Sequence, residues 1–160
     1  MSTTSPMLFP ESAEEIVARL DNEVLSLILG HSGGPFGLKM EDHEREILRS
    51  IRYHRGHKNP IGMGQLRERT KLSDRVIKQC VRTLRMNFRL PIGSNKHPTE
   101  GGYYLMVTQE DRRIWANDLL SQVRAEISVL NAAAGHQAGL ELLGQLRDEA
   151  LNAIRTEGSQ

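Results

Sequence analysis

The stretch that decides the fold of this chain is residues 73–88, SDRVIKQCVRTLRMNF. It opens with Ser73 and Asp74, a pair typical of a helix start, because a serine hydroxyl caps the first amides and an acid suits the positive end of the helix dipole. The apolar residues recur at helical spacing and predict one buried face: Val76, Ile77, Cys80, Val81, Leu84 and Phe88. The polar face carries Arg75, Lys78, Gln79, Arg82 and Arg85. The stretch therefore predicts a helix that is anchored on one side and cationic on the other.

Two further helices are predicted before this one. Residues 41–55 form the first, which Gly56 and the Asn59-Pro60 pair end. Residues 63–70 form the second, after a short strand or extended connector at Ile61. Lys71 and Leu72 make a turn into the helix that starts after Ser73. The residues expected to be buried in this part are Ile47, Leu48, Ile51, Leu66 and Leu72.

A β-hairpin is predicted after the cationic helix. Its strands are residues 89–93 and 102–107, and residues 94–101 form a polar loop between them. The order helix, short strand, helix, turn, helix, strand, loop, strand is that of a winged helix-turn-helix. The predicted fold class is therefore mostly α with a small β-hairpin, in which a winged helix-turn-helix core is flanked by helices at both ends.

The segment before this core is predicted to hold one helix, over residues 12–29, capped by Ser12. Residues 1–10 are expected to be disordered. Residues 30–37 contain four glycines and a proline and are expected to form a flexible linker. Residues 1–37 are thus interpreted as a tail, helix and linker, and residues 38–107 as the winged helix-turn-helix domain.

The last part, residues 108–160, is predicted to consist of two long helices. The first opens with a capping box of Thr108 and Asp111, Gly135 ends it, and residues 137–155 form the second. The first helix carries apolar residues at alternating spacings of four and three, a heptad seam: Ala116, Leu120, Val123, Ile127, Leu130 and Ala134. A homodimer through the seam over residues 116–134 is expected. The alternative is that the seam packs within the chain, against the first or the last helix.

The distribution of charge points to a polyanionic partner. Residues 44–97 hold 14 Lys and Arg against 4 Asp and Glu, a net charge of +10. The rest of the chain holds 7 basic and 16 acidic residues, or −9, and the two parts sum to the overall +1. A basic centre between acidic flanks is typical of a nucleic-acid-binding module.

The predicted partner is double-stranded DNA. A rigid helix with a cationic face fits the major groove, where Arg and Gln can form paired hydrogen bonds with base edges. Arg75, Lys78, Gln79 and Arg82 are therefore predicted to contact bases or the groove, and Arg85 a phosphate. The preceding helix and turn are expected to contact the phosphate backbone, and the hairpin loop a phosphate or the minor groove. The full predicted set is Arg67, Arg69, Lys71, Ser73, Arg75, Lys78, Gln79, Arg82, Arg85 and Lys96.

Part of the chain, residues 65–131, resembles winged helix-turn-helix proteins of phages, prophages and other mobile elements. The resemblance rests on Leu66-Arg67-Glu68, Leu72-Ser73, Val76-Ile77 and residues 81–85, then on Leu90-Pro91-Ile92-Gly93-Ser94 and Gly102-Tyr103-Tyr104-Leu105. The loop between the last two pieces is longer here than in that pattern. The resemblance implies a DNA-binding regulator of transcription or an accessory factor of DNA replication.

Other classes of function find little support in the sequence. No phosphate loop, zinc-protease or nucleophile-elbow motif occurs, so no enzyme and no cofactor is expected. His54 and His57 lack the further ligands of a structural zinc site, and no metal is expected. The lone Cys80, the short apolar runs and the lack of a signal sequence favour a cytoplasmic protein without a membrane segment. The alternatives kept open are a protein-interaction or assembly adaptor and, less favoured, RNA binding.

Overall fold

The computed structural model describes residues 12–31, 37–97 and 101–157. Within these residues the chain is mostly helical with one two-stranded antiparallel hairpin, which confirms the coarse fold class. The elements are α1 (Ala13–Leu29), α2 (Asp42–Ile51), α3 (Met63–Thr70), α4 (Asp74–Met86), β1 (Ile92–Asn95), β2 (Gly102–Leu105), α5 (Gln109–Ala134) and α6 (His136–Glu157). The tail at residues 1–10 and most of the predicted linker lie outside the described residues.

The chain divides into two compact units, with the boundary inside α5 between Trp115 and Ala116. The first unit has a core of aliphatic side chains from α1 to α4 and the hairpin, and nine of these are fully buried: Ile47, Leu48, Ile51, Ile61, Leu66, Ile77, Leu84, Ile92 and Leu105. Leu20, Val24 and Leu27 of α1 belong to the same core. Helix α1 therefore shares a core with the elements that follow it, because its apolar stripe is buried with α2.

The predicted helix starts are confirmed by their caps. The Ser12 Oγ accepts the Glu15 amide at 3.2 Å, and the Glu15 carboxylate accepts the Ser12 amide at 2.7 Å. The Ser73 Oγ accepts the Val76 amide at 3.5 Å and starts α4. These bonds satisfy amides that have no partner inside the helix.

Several predicted element boundaries are wrong: β1 ends at Asn95 rather than at residue 93, and β2 ends at Leu105 rather than at residue 107. The helix expected over residues 41–55 ends at Ile51. The backbone then turns, so that the His54 carbonyl accepts the Leu105 amide at 2.8 Å and the Gly56 amide donates to the Leu105 carbonyl at 2.9 Å. The first strand starts at Ile92 rather than at residue 89, because Arg89 has a left-handed backbone with φ of 52°.

The hairpin is held on the core at both of its strands. Gly93 pairs with Tyr104, and the fully buried Tyr104 ring lies over the space where a Gly93 side chain would be. Ile61 exchanges two backbone hydrogen bonds with Tyr103, at 2.8 and 2.9 Å, which confirms the predicted short strand or connector. This pairing places the hairpin beside the start of α3.

The second unit contains the rest of α5 and α6. Gly135, with φ of 88°, separates the two helices as predicted. α6 begins at His136, one residue before the predicted start. Among the described residues, no helix is long and apolar enough to cross a membrane.

Candidate nucleic-acid interface

The exposed face of α4 is the most cationic helical surface of the first unit. Its buried face holds Ile77, Cys80, Val81 and Leu84 against the core, while Val76 is half-buried. The side opposite the core carries four exposed side chains, Arg75, Lys78, Gln79 and Arg82. Since these recur every three or four residues, one face of a fixed helix presents them together.

Arg85 lies differently from the other predicted contacts. Its Nε donates to the Ile92 carbonyl at 2.7 Å, and its guanidinium stacks 5.8 Å from the Tyr103 ring centroid and 5.4 Å from that of Trp115. Burial lowers the pKa of the Arg85 guanidinium, and burial likewise raises the pKa of the Tyr103 hydroxyl. Arg85 therefore links α4 to the hairpin and the start of α5. Its predicted phosphate contact has no support in this geometry.

The helix and turn before α4 present further cations. Arg67 and Arg69 are exposed on α3, and Arg67 lies 3.4 Å from the Asp74 carboxylate. Lys71 is exposed at the turn, where its left-handed backbone, with φ of 57°, ends α3. Ser73 is exposed as well, although its hydroxyl is used in capping α4. The turn thus brings these side chains beside the first residues of α4.

A basic groove lies between α3, α4 and the hairpin. It has a volume of about 550 Å³ and is lined by Gly62, Met63 and Gly64 from the start of α3, by Lys78, and by the hairpin residues Asn95, Lys96 and His97 among others. The first amides of a helix have no intrahelical acceptor and attract anions. Lys78 and Lys96 were predicted from the sequence as part of the interface, but the start of α3 was not. The only signal in the sequence was the small side chain of Gly64, which leaves that surface open.

A second groove borders the other edge of α4 and has a different charge. It has a volume of about 630 Å³ and brings Glu41 and Glu44 of the α2 start close to Arg75 and Gln79. The Glu44 carboxylate also accepts the Glu41 amide at 2.9 Å. Burial, with the two glutamates adding to it, raises the pKa of the Cys80 thiol. This acidic edge was not predicted from the sequence, because the start of α2 and helix α4 are distant in the chain.

The two histidines considered as metal ligands each contact a different part of the chain. His57 Nδ1 lies 2.8 Å from the buried Asp111 carboxylate, and His54 Nδ1 lies 3.2 Å from the Asn59 carbonyl. No group of three or more metal-ligating side chains occurs in the described part of the chain. His57 and Asp111 instead join the loop after α2 to the start of α5.

Comparison of the chain with models of known protein families, with curated proteins and with solved structures gave no match.

Proposed function

We propose that the first unit is a winged helix-turn-helix domain that binds double-stranded DNA, with α4 as the recognition helix and the β1–β2 hairpin as the wing. The observation that carries the proposal is the exposed set Arg75, Lys78, Gln79 and Arg82 on one face of α4. The fold supports this proposal, because α2, α3, the turn, α4 and the hairpin follow in this order around one core. In this role the protein acts as a regulator of transcription or an accessory factor of replication.

The two grooves beside α4 favour one placement of the duplex. The phosphate backbone, which carries one negative charge per roughly 1.7 Å of helix axis, suits the basic groove with Lys78 and Lys96. The groove with Glu41 and Glu44 repels it. Arg75 and Gln79 then face the base edges at the acidic side, where carboxylates can also accept hydrogen bonds from cytosine amino groups. Arg67, Arg69 and Lys71 add phosphate contacts from α3 and the turn.

The test is duplex binding by fluorescence anisotropy across a salt series, with the full chain and a variant carrying Arg75→Ala, Lys78→Ala and Arg82→Ala. Binding should weaken steeply with salt, because each neutralised phosphate releases counterions. The slope of log K against log salt should fall by roughly 0.9 for each phosphate contact that the variant loses, of which Lys78 supplies one. Gln79→Ala alone should lower discrimination between sites more than it lowers binding to a random duplex.

The matched control carries Arg49→Ala, Arg124→Ala and Arg147→Ala, three exposed arginines on α2, α5 and α6. It removes the same net charge from other surfaces and should keep most of the wild-type affinity and slope. Equal losses in the two triple variants would mean that overall charge, not the α4 face, binds DNA. Absence of binding by the wild type at low salt would refute the proposed function.

A further inference from the structure

The second unit leaves nearly all of its large apolar side chains in contact with solvent. Among the residues of this unit whose side chains are described, only Gly139 is buried. Leu120 is 51% exposed, Leu140 52% and Leu146 44%. In the first unit, by contrast, leucines and isoleucines of the core have exposures close to zero. The second unit therefore has apolar surface but no core of its own.

Two helices in this state lack the interactions that normally stabilise helices in proteins. Most helical stability in proteins comes from packing of an amphipathic face, and an element with an apolar stripe must bury it against another element. Within the unit, α6 meets α5 near the turn, where a side chain at Gly139 would overlap Asn131. That contact leaves Leu120 and Val123 uncovered. A further layer is needed to cover them.

The α5 seam, defined as Ala116, Leu120, Val123, Ile127, Leu130 and Ala134, has the form of a self-complementary surface. Its spacings follow the heptad repeat, in which one seam packs against another of the same kind. None of its six residues is charged, so it offers no charge pattern that selects a different partner. Leu119 on the same helix, and Leu143 and Leu151 on α6, are further exposed apolar side chains of the unit.

The exposed area is large enough for a pair of copies. At about 25 cal/mol per Å², the roughly 1.5–3 kcal/mol gained by burying an aliphatic side chain corresponds to roughly 60–120 Å² of apolar surface. The exposed leucines and valines of the unit and the seam alanines therefore offer at most on the order of 500 Å² per copy. Two copies would bury up to about 1,000 Å², the lower limit of a specific interface. Closed twofold symmetry, the commonest form of soluble oligomers, lets the same patch serve both copies.

We infer that the second unit is a dimerisation module, in which the α5 seams of two copies of this chain pack together and the leucines of α6 add apolar surface to the interface. The dimer forms without DNA, so the inference does not rest on the proposed function. If both hold, each dimer carries two copies of the α4 face.

The test is sedimentation velocity of the full chain over a concentration series, without DNA. The wild type should sediment as a dimer, at twice the monomer mass of 18.0 kDa, and dissociate on dilution. Val123→Glu places a charge in the seam and should raise the dimer dissociation constant about 100-fold or more, because a buried unpaired charge is strongly unfavourable. Val129→Glu is the matched control, since Val129 lies on the same helix outside the seam and is 68% exposed. It should leave the dimer intact.

Crosslinking keeps the inference testable if Val123→Glu unfolds the unit. In a Cys80→Ala background, Val123→Cys should be joined between copies by a short bismaleimide, and Val129→Cys should not. Far-UV circular dichroism should show that helix content falls as the wild type is diluted, because the second unit then loses its partner copy. A wild type that stays monomeric at every concentration would overturn the inference, as would equal effects of the two glutamate variants. A seam covered by another part of the same chain would give the monomeric result.

Discussion

Replacing Asp111 by asparagine should destabilise the first unit more than its small change in shape suggests. The Asp111 side chain is only 3% exposed, and each of its two carboxylate oxygens accepts two hydrogen bonds. One oxygen accepts the His57 amide at 2.9 Å and its ring Nδ1 at 2.8 Å; the other accepts the amides of Thr108 and Val107 at 3.0 and 3.2 Å. Asparagine offers one acceptor oxygen and turns an NH₂ group toward donors. Two of the four bonds are therefore lost whichever way the amide is placed.

The size of the effect follows from the number of bonds lost. Hydrogen bonds to a charged group contribute about 1.5–3 kcal/mol each, and water can reach part of His57, whose side chain is 27% exposed. We expect Asp111→Asn to lower the free energy of unfolding by about 3 kcal/mol. For a unit of about this size the melting temperature would fall by roughly 10–15 °C.

The assay is urea unfolding followed by the fluorescence of Trp115, the single tryptophan of the chain, which stacks with Arg85 in the first unit. Asp118→Asn is the control, because it makes the same chemical change at an exposed position of the same helix. Its unfolding midpoint should equal that of the wild type. If Asp111→Asn stays within about 0.5 kcal/mol of the wild type, the level of ordinary surface substitutions, the proposed role of this carboxylate is wrong.

Three further outcomes follow from the structure. Burial alone would raise the pKa of Asp111, but hydrogen bonds from His57 and Thr108 outweigh it and hold the pKa well below the usual range. The urea midpoint of the wild type should therefore be constant above about pH 4 and should fall below that pH. Below about pH 4 the difference in urea midpoint between the wild type and Asp111→Asn should become smaller. A difference that does not change with pH would contradict this explanation. Gly93→Ala would put a Cβ 2.5 Å from the buried Tyr104 ring and should cost about 1–3 kcal/mol, visible as a lower melting temperature; an unchanged one would mean that the ring moves aside freely. Arg85→Met should lower the free energy of unfolding by about 1–2 kcal/mol and shift the fluorescence emission of Trp115. It should reduce the affinity for DNA less than Arg82→Ala does. A larger loss of affinity for Arg85→Met would mean that Arg85 contacts DNA.

Much of α4 could be predicted because its determinants are local. Ser73 caps the helix through an amide three residues away, and Ile77, Val81 and Leu84 share a face because of helical spacing alone. The incorrectly predicted end of α2 has a non-local origin. Helix α2 ends early because His54 pairs with Leu105, which is far along the chain. A pattern of hydrophobic residues contains no information about such a partner.

The assignment of α1 shows the same limit. Its helix, its cap and its apolar stripe were all predicted, but a glycine-rich segment after it suggested an independent element. Leu20, Val24 and Leu27 are in fact part of the core. Whether the apolar face of a helix packs against its own chain depends on the surfaces that the other elements present. For the α5 seam, the homodimer stays a prediction.

The sequence by itself determined where the helices begin, which face of α4 is cationic and that a hairpin follows it. These properties arise from capping, helical periodicity and alternation, which act between residues a few positions apart. Only the tertiary structure decided that Arg85 is enclosed by Tyr103 and Trp115, that Lys78 and Lys96 share a groove, and that Glu41 and Glu44 border the opposite edge of α4. The reason is physical: exposure and local field depend on which distant side chains the packed core brings together, and that arrangement is a property of the whole unit.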